Sequence, residues 1–144
     1  MEEVIIKIPE GKALIRDGRC PKGCSLMNPL KLLSGKPVIT CEIKIHGMRG
    51  YIHLNPYYGI FEHETEVQLM PGDHLDLFCP KCGAELSVSE TCAFCRVNLF
   101  GIHLPNGGEV RACPVVGCHN HKLILVDLDA QLEEYYNNEM KPKM

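Results

Sequence analysis

The sequence lacks the main features of three large classes of protein. No apolar run approaches the roughly 20 residues that a helix needs to cross a bilayer. Basic residues are not in excess, since 15 lysines and arginines stand against 18 acidic residues for a net charge of -3, and nucleic-acid binding usually needs a positive patch. The first residues, Met1-Glu2-Glu3, are acidic where a secretory signal is basic. We therefore expect a cytoplasmic protein with no nucleic-acid and no membrane partner.

The motifs of several enzyme classes are also missing. The chain has no glycine-rich phosphate loop before a helix and no Gly-x-Ser-x-Gly elbow. Its apolar share of 45% and charged share of 23% are those of a soluble globular protein. A chain of 144 residues is long enough for one compact unit and too short for two independent domains. We expect a single unit that is ordered over most of its length.

Cysteine is the residue type that the sequence has in unusual number. Eight of the nine cysteines form four closely spaced pairs, as is typical of metal binding in a reducing compartment. A disulfide scaffold is the alternative, but it would need a secretory route. The four pairs are Cys20 with Cys24, Cys79 with Cys82, Cys92 with Cys95, and Cys113 with Cys118.

The two central pairs are the strongest metal-binding motif. Nine residues separate Cys79 and Cys82 from Cys92 and Cys95, and this spacing predicts four thiolates at the end of one short hairpin, around a tetrahedral metal. Residues 79–95 resemble the short double-knuckle zinc ribbons, whose knuckle reads here as Cys-Pro-Lys-Cys-Gly. The resemblance implies a structural zinc and no activity. In the second knuckle Arg96 replaces the glycine that normally lets the backbone turn.

Two other uses of these central cysteines compete with zinc. Rubredoxin-like iron proteins have similar knuckles, but a much longer insert separates them. A redox dithiol works at the start of a helix, whereas Cys79 follows a predicted strand. We therefore predict zinc, and a closed four-thiolate zinc has no open position at which to activate water.

The outer pairs predict a second zinc. Cys20-Pro21-Lys22-Gly23-Cys24 and the segment from Cys113 to Cys118 both begin with Cys-Pro and end with Gly-Cys. We expect Cys20, Cys24, Cys113 and Cys118 to share one ion, with His119 or His121 as a substitute ligand. The alternative is two unconnected turns with free thiols. Cys41, the ninth cysteine, falls on the apolar face of a predicted strand, which favours a core position.

The chain pattern predicts a mainly β fold, an antiparallel sheet or small barrel with an inserted zinc ribbon and one C-terminal helix. Residues 1–78 are expected to form the β-rich core region, 79–100 the ribbon, and 101–144 a returning turn, a buried strand and the helix. Residues 38–46 alternate between apolar and polar side chains, the clearest strand signal in the chain. We expect this strand to pair with residues 51–54 across a turn at residues 47–50.

Other elements follow from shorter patterns. Residues 4–8 predict an opening strand, 57–61 a further strand, and 67–70 with 75–78 a second hairpin, whereas 101–108 resemble a loop. The apolar run at 123–126 predicts a strand buried on both faces. Leucines and tyrosines spaced at helical intervals over residues 127–140 predict the helix.

Histidines on the polar face of the first hairpin are weaker candidates for a site. His46, His53, Tyr51 and Lys44 share this face, and His63 with Glu62 or Glu64 could approach it, so the cluster could form a metal or acid-base site. Solvated histidines are the favoured interpretation, because nothing in the sequence determines their mutual distances.

The function expected from these observations is a zinc-stabilised protein-binding module, an accessory or regulatory subunit of a larger cytoplasmic assembly. One alternative is a small zinc enzyme that uses the second site with an open coordination position. Another is an iron protein for electron transfer. Four protein ligands at both metals would favour the binding module.

Overall fold

The computed structural model describes residues 4–6 and 13–125, which form two antiparallel β-sheets. The first sheet has the strand order β2-β3-β4-β5, with β6 also paired to β3. The second sheet has the order β1-β10-β9-β8-β7. The strands are β1 (Val4–Ile6), β2 (Met27–Leu33), β3 (Lys36–Ile45), β4 (Met48–Leu54), β5 (His63–Thr65), β6 (Asp76–Phe78), β7 (Ser87–Thr91), β8 (Asn98–His103), β9 (Glu109–Ala112) and β10 (His121–Leu125).

The longest strand, β3, is the centre of the first sheet. Its alternating pattern buries one set of apolar side chains, including Ile43 and Cys41, against the core. The predicted hairpin with β4 is confirmed, but the predicted turn at residues 47–50 is wrong. The strands are joined instead by His46 and Gly47, both with positive φ. A two-residue turn of this kind matches the right-handed twist of the strands, and the resulting register pairs Cys41 with Ile52.

Two predictions for the first sheet need correction. Residues 57–61 form no strand, and the short strand β5 begins at His63 instead. Residues 67–70 do not pair with residues 75–78. Instead, β6 pairs with residues 42–44 of β3, whereas β2 pairs with residues 36–39 of the same strand. Pairing with the long buried strand β3 satisfies the backbone of β6, so the expected second hairpin is not needed.

The second sheet contains the returning strand that the sequence predicts. In β10 the consecutive residues Leu123 and Ile124 are both buried, as expected for a strand covered on both faces. The predicted loop at 101–108 is confirmed only for its second part, since β8 continues to His103 and the chain then turns through a 3-10 helix (Pro105–Gly107) into β9. The described strands form two open sheets rather than a closed barrel. The predicted C-terminal helix lies outside the described residues.

The main core draws apolar side chains from both sheets, among them Ile39 and Ile52 from the first and Ile102 from the second. Cys41 is fully buried among them, which confirms its predicted core position. Its burial raises the pKa of the thiol to about 12.

An ion-pair network crosses the outer part of the second sheet. Arg111 on β9 reaches Glu90 on β7 at 2.8 Å and Glu109 at 2.5 Å, and Lys122 on β10 also bonds Glu90. Gly101 on the intervening strand β8 lies opposite Arg111. A methyl group at Gly101 would lie 2.7 Å from the Glu109 carboxylate, so the missing side chain is what lets this network form across β8.

Candidate metal centres

The eight paired cysteines gather into two clusters of four. One cluster joins Cys20, Cys24, Cys79 and Cys82, and the other joins Cys92, Cys95, Cys113 and Cys118. Within each cluster all four sulfur atoms lie within 4.8 Å of one another. We call them cluster 1 and cluster 2.

The grouping of the pairs differs from the one predicted for a zinc ribbon. The sequence places Cys79 and Cys82 with Cys92 and Cys95, whereas in the structure each central pair takes an outer pair as its partner. The reason lies in β7, because this extended strand separates the two central pairs. Five residues of strand span roughly 16 Å. The central pairs therefore lie at opposite ends of β7, and the outer turns come to meet them.

The two central pairs lie in separate turns that have the same backbone hydrogen bonds. In the first, the Gly83 amide donates to the Cys79 carbonyl at 2.9 Å, and the Cys79 amide donates to the Ala84 carbonyl at 2.8 Å. In the second, the Arg96 amide donates to the Cys92 carbonyl and the Cys92 amide to the Val97 carbonyl, both at 2.8 Å. Gly83 has φ 78 and Arg96 has φ 59. Arg96 thus adopts the left-handed conformation that the glycine adopts, and the second knuckle is complete without glycine.

The outer pairs also turn at a glycine. Gly23 and Gly117 both have φ 93, a conformation that other residues adopt only at a cost. The Gly23 amide donates to the Cys20 carbonyl at 2.9 Å, and the Cys118 amide donates to the Val115 carbonyl at 3.0 Å. The Cys-Pro and Gly-Cys ends noted in the sequence therefore mark two real turns, each of which delivers two thiols to a cluster.

Backbone amides point at the sulfur atoms of cluster 1. Lys22 and Cys24 both donate to the Cys20 sulfur at 3.3 Å, and Lys81 donates to the Cys79 sulfur at 3.4 Å. Burial disfavours a thiolate at Cys20, but these hydrogen bonds outweigh it and lower the pKa to about 7. Hydrogen bonding to Cys82 raises the pKa of Cys24 to about 12. The backbone amides of Lys22 and Cys24 therefore favour the thiolate form of Cys20.

Cluster 2 has an additional donor from a side chain. The Asn120 amide donates to the Cys92 sulfur at 3.3 Å, and the Cys95 backbone amide donates at 3.4 Å. Burial opposes ionisation of Cys92, but the donors outweigh it and bring the pKa down to about 6. Burial raises the pKa of Cys113. Sequence reasoning missed Asn120, since only the fold brings it to Cys92.

The geometry of both clusters fits a tetrahedral metal with four thiolate ligands. The Cys20 and Cys82 sulfurs are 3.7 Å apart in cluster 1, and the Cys92 and Cys118 sulfurs are 3.9 Å apart in cluster 2. Tetrahedral zinc with bonds of about 2.3 Å would hold its sulfurs roughly 3.8 Å apart. All nine cysteines are free thiols. Amides that donate to sulfur also stabilise thiolates in structural metal sites, so the donor set suits zinc.

The two histidines expected as substitute ligands belong to neither cluster. The His119 ring stacks on Phe61 with centroids 4.1 Å apart, and the His121 ring meets Phe61 and Tyr58 edge-on at 5.0 Å. The His121 Nδ1–H donates to the His119 carbonyl at 2.6 Å. These rings therefore form an aromatic group beside cluster 2, and each cluster is complete with four cysteines.

The histidines of the first hairpin do not assemble into a common site. His46 contacts Asp73 at 3.3 Å, whereas His53 bonds the Thr40 hydroxyl at 2.9 Å. Burial, and then the charge of Lys31, lower the pKa of His53. Lys44 lies over the Phe78 ring at 4.8 Å. Each of these side chains has a local structural partner.

Comparisons with known proteins give no relative, because no family model, curated protein or solved structure matches the chain. Among the described residues no helix has the length and apolar character needed to cross a membrane. The function therefore has to be argued from the two clusters and from the surface around them.

Proposed function

We propose that this protein is a zinc-stabilised protein-binding module that serves as an accessory or regulatory subunit of a larger cytoplasmic assembly. The observation that carries the proposal is the set of four thiols at each cluster. Four thiolates saturate tetrahedral zinc, which leaves no position for water or substrate. The ions then act on the fold, and the function lies on the surface that they stabilise.

The positions of the clusters along the chain support a structural role. Cluster 1 ties Cys24 to Cys79, which are about 55 residues apart, and cluster 2 ties Cys95 to Cys113, about 18 residues apart. If a metal restricts the unfolded chain as a cross-link does, closing these loops contributes about 4 and about 3 kcal/mol. Contributions of this size are comparable to the whole stability of a small domain.

Exposed apolar side chains support binding to another protein. Phe94 is 80% exposed at the tip of the Cys92–Cys95 turn, and Leu30 is 95% exposed on the edge strand β2. A rigid turn holds Phe94 without the entropy loss that ordering a loop would cost on binding. Aromatic side chains of this kind are frequent anchors of protein interfaces. We therefore assign Phe94 to the contact surface.

The alternatives from the sequence have less support. A zinc enzyme needs an open coordination position, and neither cluster provides one because each has four cysteines. Iron would also accept four thiolates, so metal identity has to be measured. Purified iron-loaded protein would be red, whereas zinc-loaded protein would be colourless. A reducing compartment would keep the eight thiols available for metal.

Metal analysis and quantitative affinity purification test the proposal together. The tagged full-length chain, isolated from its own cells, should contain about two zinc ions and carry a partner at constant stoichiometry. Phe94→Ser should lose that partner and keep its zinc, whereas Met70→Ser should keep both, since Met70 is another apolar residue, 65% exposed, outside the clusters. A Phe94→Ser variant that retains every partner would refute the assigned surface.

A further inference from the structure

An apolar cavity lies between the two sheets, next to cluster 2. Its volume is about 170 Å³. The first sheet contributes Ile39 and Ile52, and the second sheet contributes Phe100 and Ile102. Residues 57–63 line one part of the cavity and residues 113–119 another. The metal-binding turn of Cys113 and Cys118 is therefore one wall of the cavity.

The size of the cavity limits what it can hold. An engineered apolar protein cavity of about 150 Å³ takes up benzene or xenon. The space here is similar and is partly open to solvent. It suits a molecule with one ring, and it is too small for a nucleotide or a fatty acid, whose sites are usually several times larger.

Four rings surround one end of the cavity. Tyr58 and Phe61 each meet the edge or face of His121 at 5.0 Å, and Phe61 stacks on His119 at 4.1 Å. All four residues line the cavity. Aromatic rings prefer offset or edge-to-face neighbours at such distances. A guest ring placed here would meet ring faces and edges in addition to aliphatic side chains.

Two polar atoms beside these rings have unused hydrogen-bonding capacity. Tyr58 is 94% buried, and its hydroxyl has no hydrogen-bond partner among the residues that the structure describes. Tyr58 lines the cavity, so a guest molecule can reach this residue. In the neutral His121 ring, the proton on Nδ1 goes to the His119 carbonyl, which leaves Nε2 as an acceptor.

The hydroxyl of Tyr58 is a donor under ordinary conditions. Burial raises its pKa to about 12, so it keeps its proton at neutral pH. Tyr58 and His121 both line the cavity, with ring centroids 5.0 Å apart, and together they offer a donor and an acceptor to a hydroxyl substituent, which can accept from one and donate to the other.

We propose that this cavity binds a single-ring aromatic molecule with one hydroxyl-type substituent, whose ring lies between the sheets and whose hydroxyl meets Tyr58 and His121. The site is separate from the assigned contact surface around Phe94. Binding of such a molecule is expected whether or not a protein partner exists, and the two proposals can fail independently.

Phenol and toluene are the probes that test this site, because they differ only in the substituent. Each is titrated into the zinc-loaded full-length chain and followed by amide NMR shifts. We expect saturable shifts at cavity residues such as Tyr58, Phe61 and His121, with phenol bound more tightly than toluene by roughly threefold to tenfold, the value of about one net hydrogen bond.

Two tyrosine variants separate the polar contact from general apolar binding. Tyr58→Phe should still bind toluene and should lose the preference for phenol. Tyr51→Phe is the matched control, because Tyr51 is exposed on β4 and does not line the cavity, and it should keep the preference. Phe61→Leu should weaken both probes alike, since it removes the central ring.

Three results would overturn the proposal. They are the absence of saturable shifts with both probes, shifts confined to residues outside the cavity, and a phenol preference that persists in Tyr58→Phe. A cavity that the chain itself fills would give the first of these results.

Discussion

The left-handed conformation of Arg96 provides a sharp test of the knuckle geometry. Arg96 has φ 59, is exposed, and occupies the place that Gly83 holds in the first knuckle. A residue with a Cβ in this conformation costs about 1–2 kcal/mol, whereas glycine loses about 0.5–1 kcal/mol more chain entropy on folding. The difference predicts that Arg96→Gly stabilises the zinc-loaded protein by about 0.5–1 kcal/mol relative to Arg96→Ala.

Arg96→Ala is the reference for this comparison because it removes the same charge near the thiolates and keeps the Cβ. Gly83→Ala is the reciprocal change. A Cβ at Gly83 would touch nothing within 4 Å, so its cost of about 1 kcal/mol is conformational. Urea unfolding of zinc-loaded samples measures all of them. If Arg96→Gly is no more stable than Arg96→Ala, the second knuckle does not turn as described and its equivalence to the first is refuted.

Three further predictions concern Gly101, Cys41 and His53. Gly101→Ala should lower the free energy of unfolding by about 1–3 kcal/mol in urea titrations, because the methyl group meets Glu109 at 2.7 Å and Val88 at 2.9 Å; unchanged stability would place these side chains elsewhere. Cys41→Ser should cost about 1–3 kcal/mol, the penalty of a buried unpaired hydroxyl, with zinc content unchanged, and a loss of zinc would make Cys41 a ligand. NMR titration of His53 should give a pKa below the usual histidine value of about 6.5. As the pH falls, the unfolded state then takes up a proton at a higher pH than the folded state does, so His53 lowers the free energy of unfolding as the pH drops through about 6.5. A titration midpoint above that value would contradict the burial of His53.

The sequence predicts well which cysteines form the two clusters and predicts their grouping poorly. Short spacing between paired cysteines is a local signal, and all four pairs do lie in turns that present both thiols to one cluster. Which pairs meet depends on whether the nine residues after Cys82 fold back or extend. They extend as β7, and the pairing of β7 with β8 that favours extension lies outside the motif.

The same division between local and non-local signals applies to the sheets. Alternation along β3 and the apolar run in β10 identify buried strands from sequence alone. The local pattern predicts that residues 67–70 pair with 75–78, but β6 pairs with β3, more than 30 residues earlier. The position of Asn120 beside Cys92 is equally non-local. A contact between two distant segments leaves no signal in the sequence pattern of either segment, so it cannot be predicted from local patterns.

The central claim is that each metal site combines one central cysteine pair with one outer pair, and the zinc content of two double variants tests it most directly. Cys20→Ser with Cys82→Ser removes two ligands from cluster 1 alone, so about one zinc ion should remain per chain. Cys82→Ser with Cys95→Ser removes one ligand from each cluster, so almost no zinc should remain after gel filtration. The opposite result, with no zinc in the first variant and one ion in the second, would restore the zinc-ribbon grouping and contradict this account.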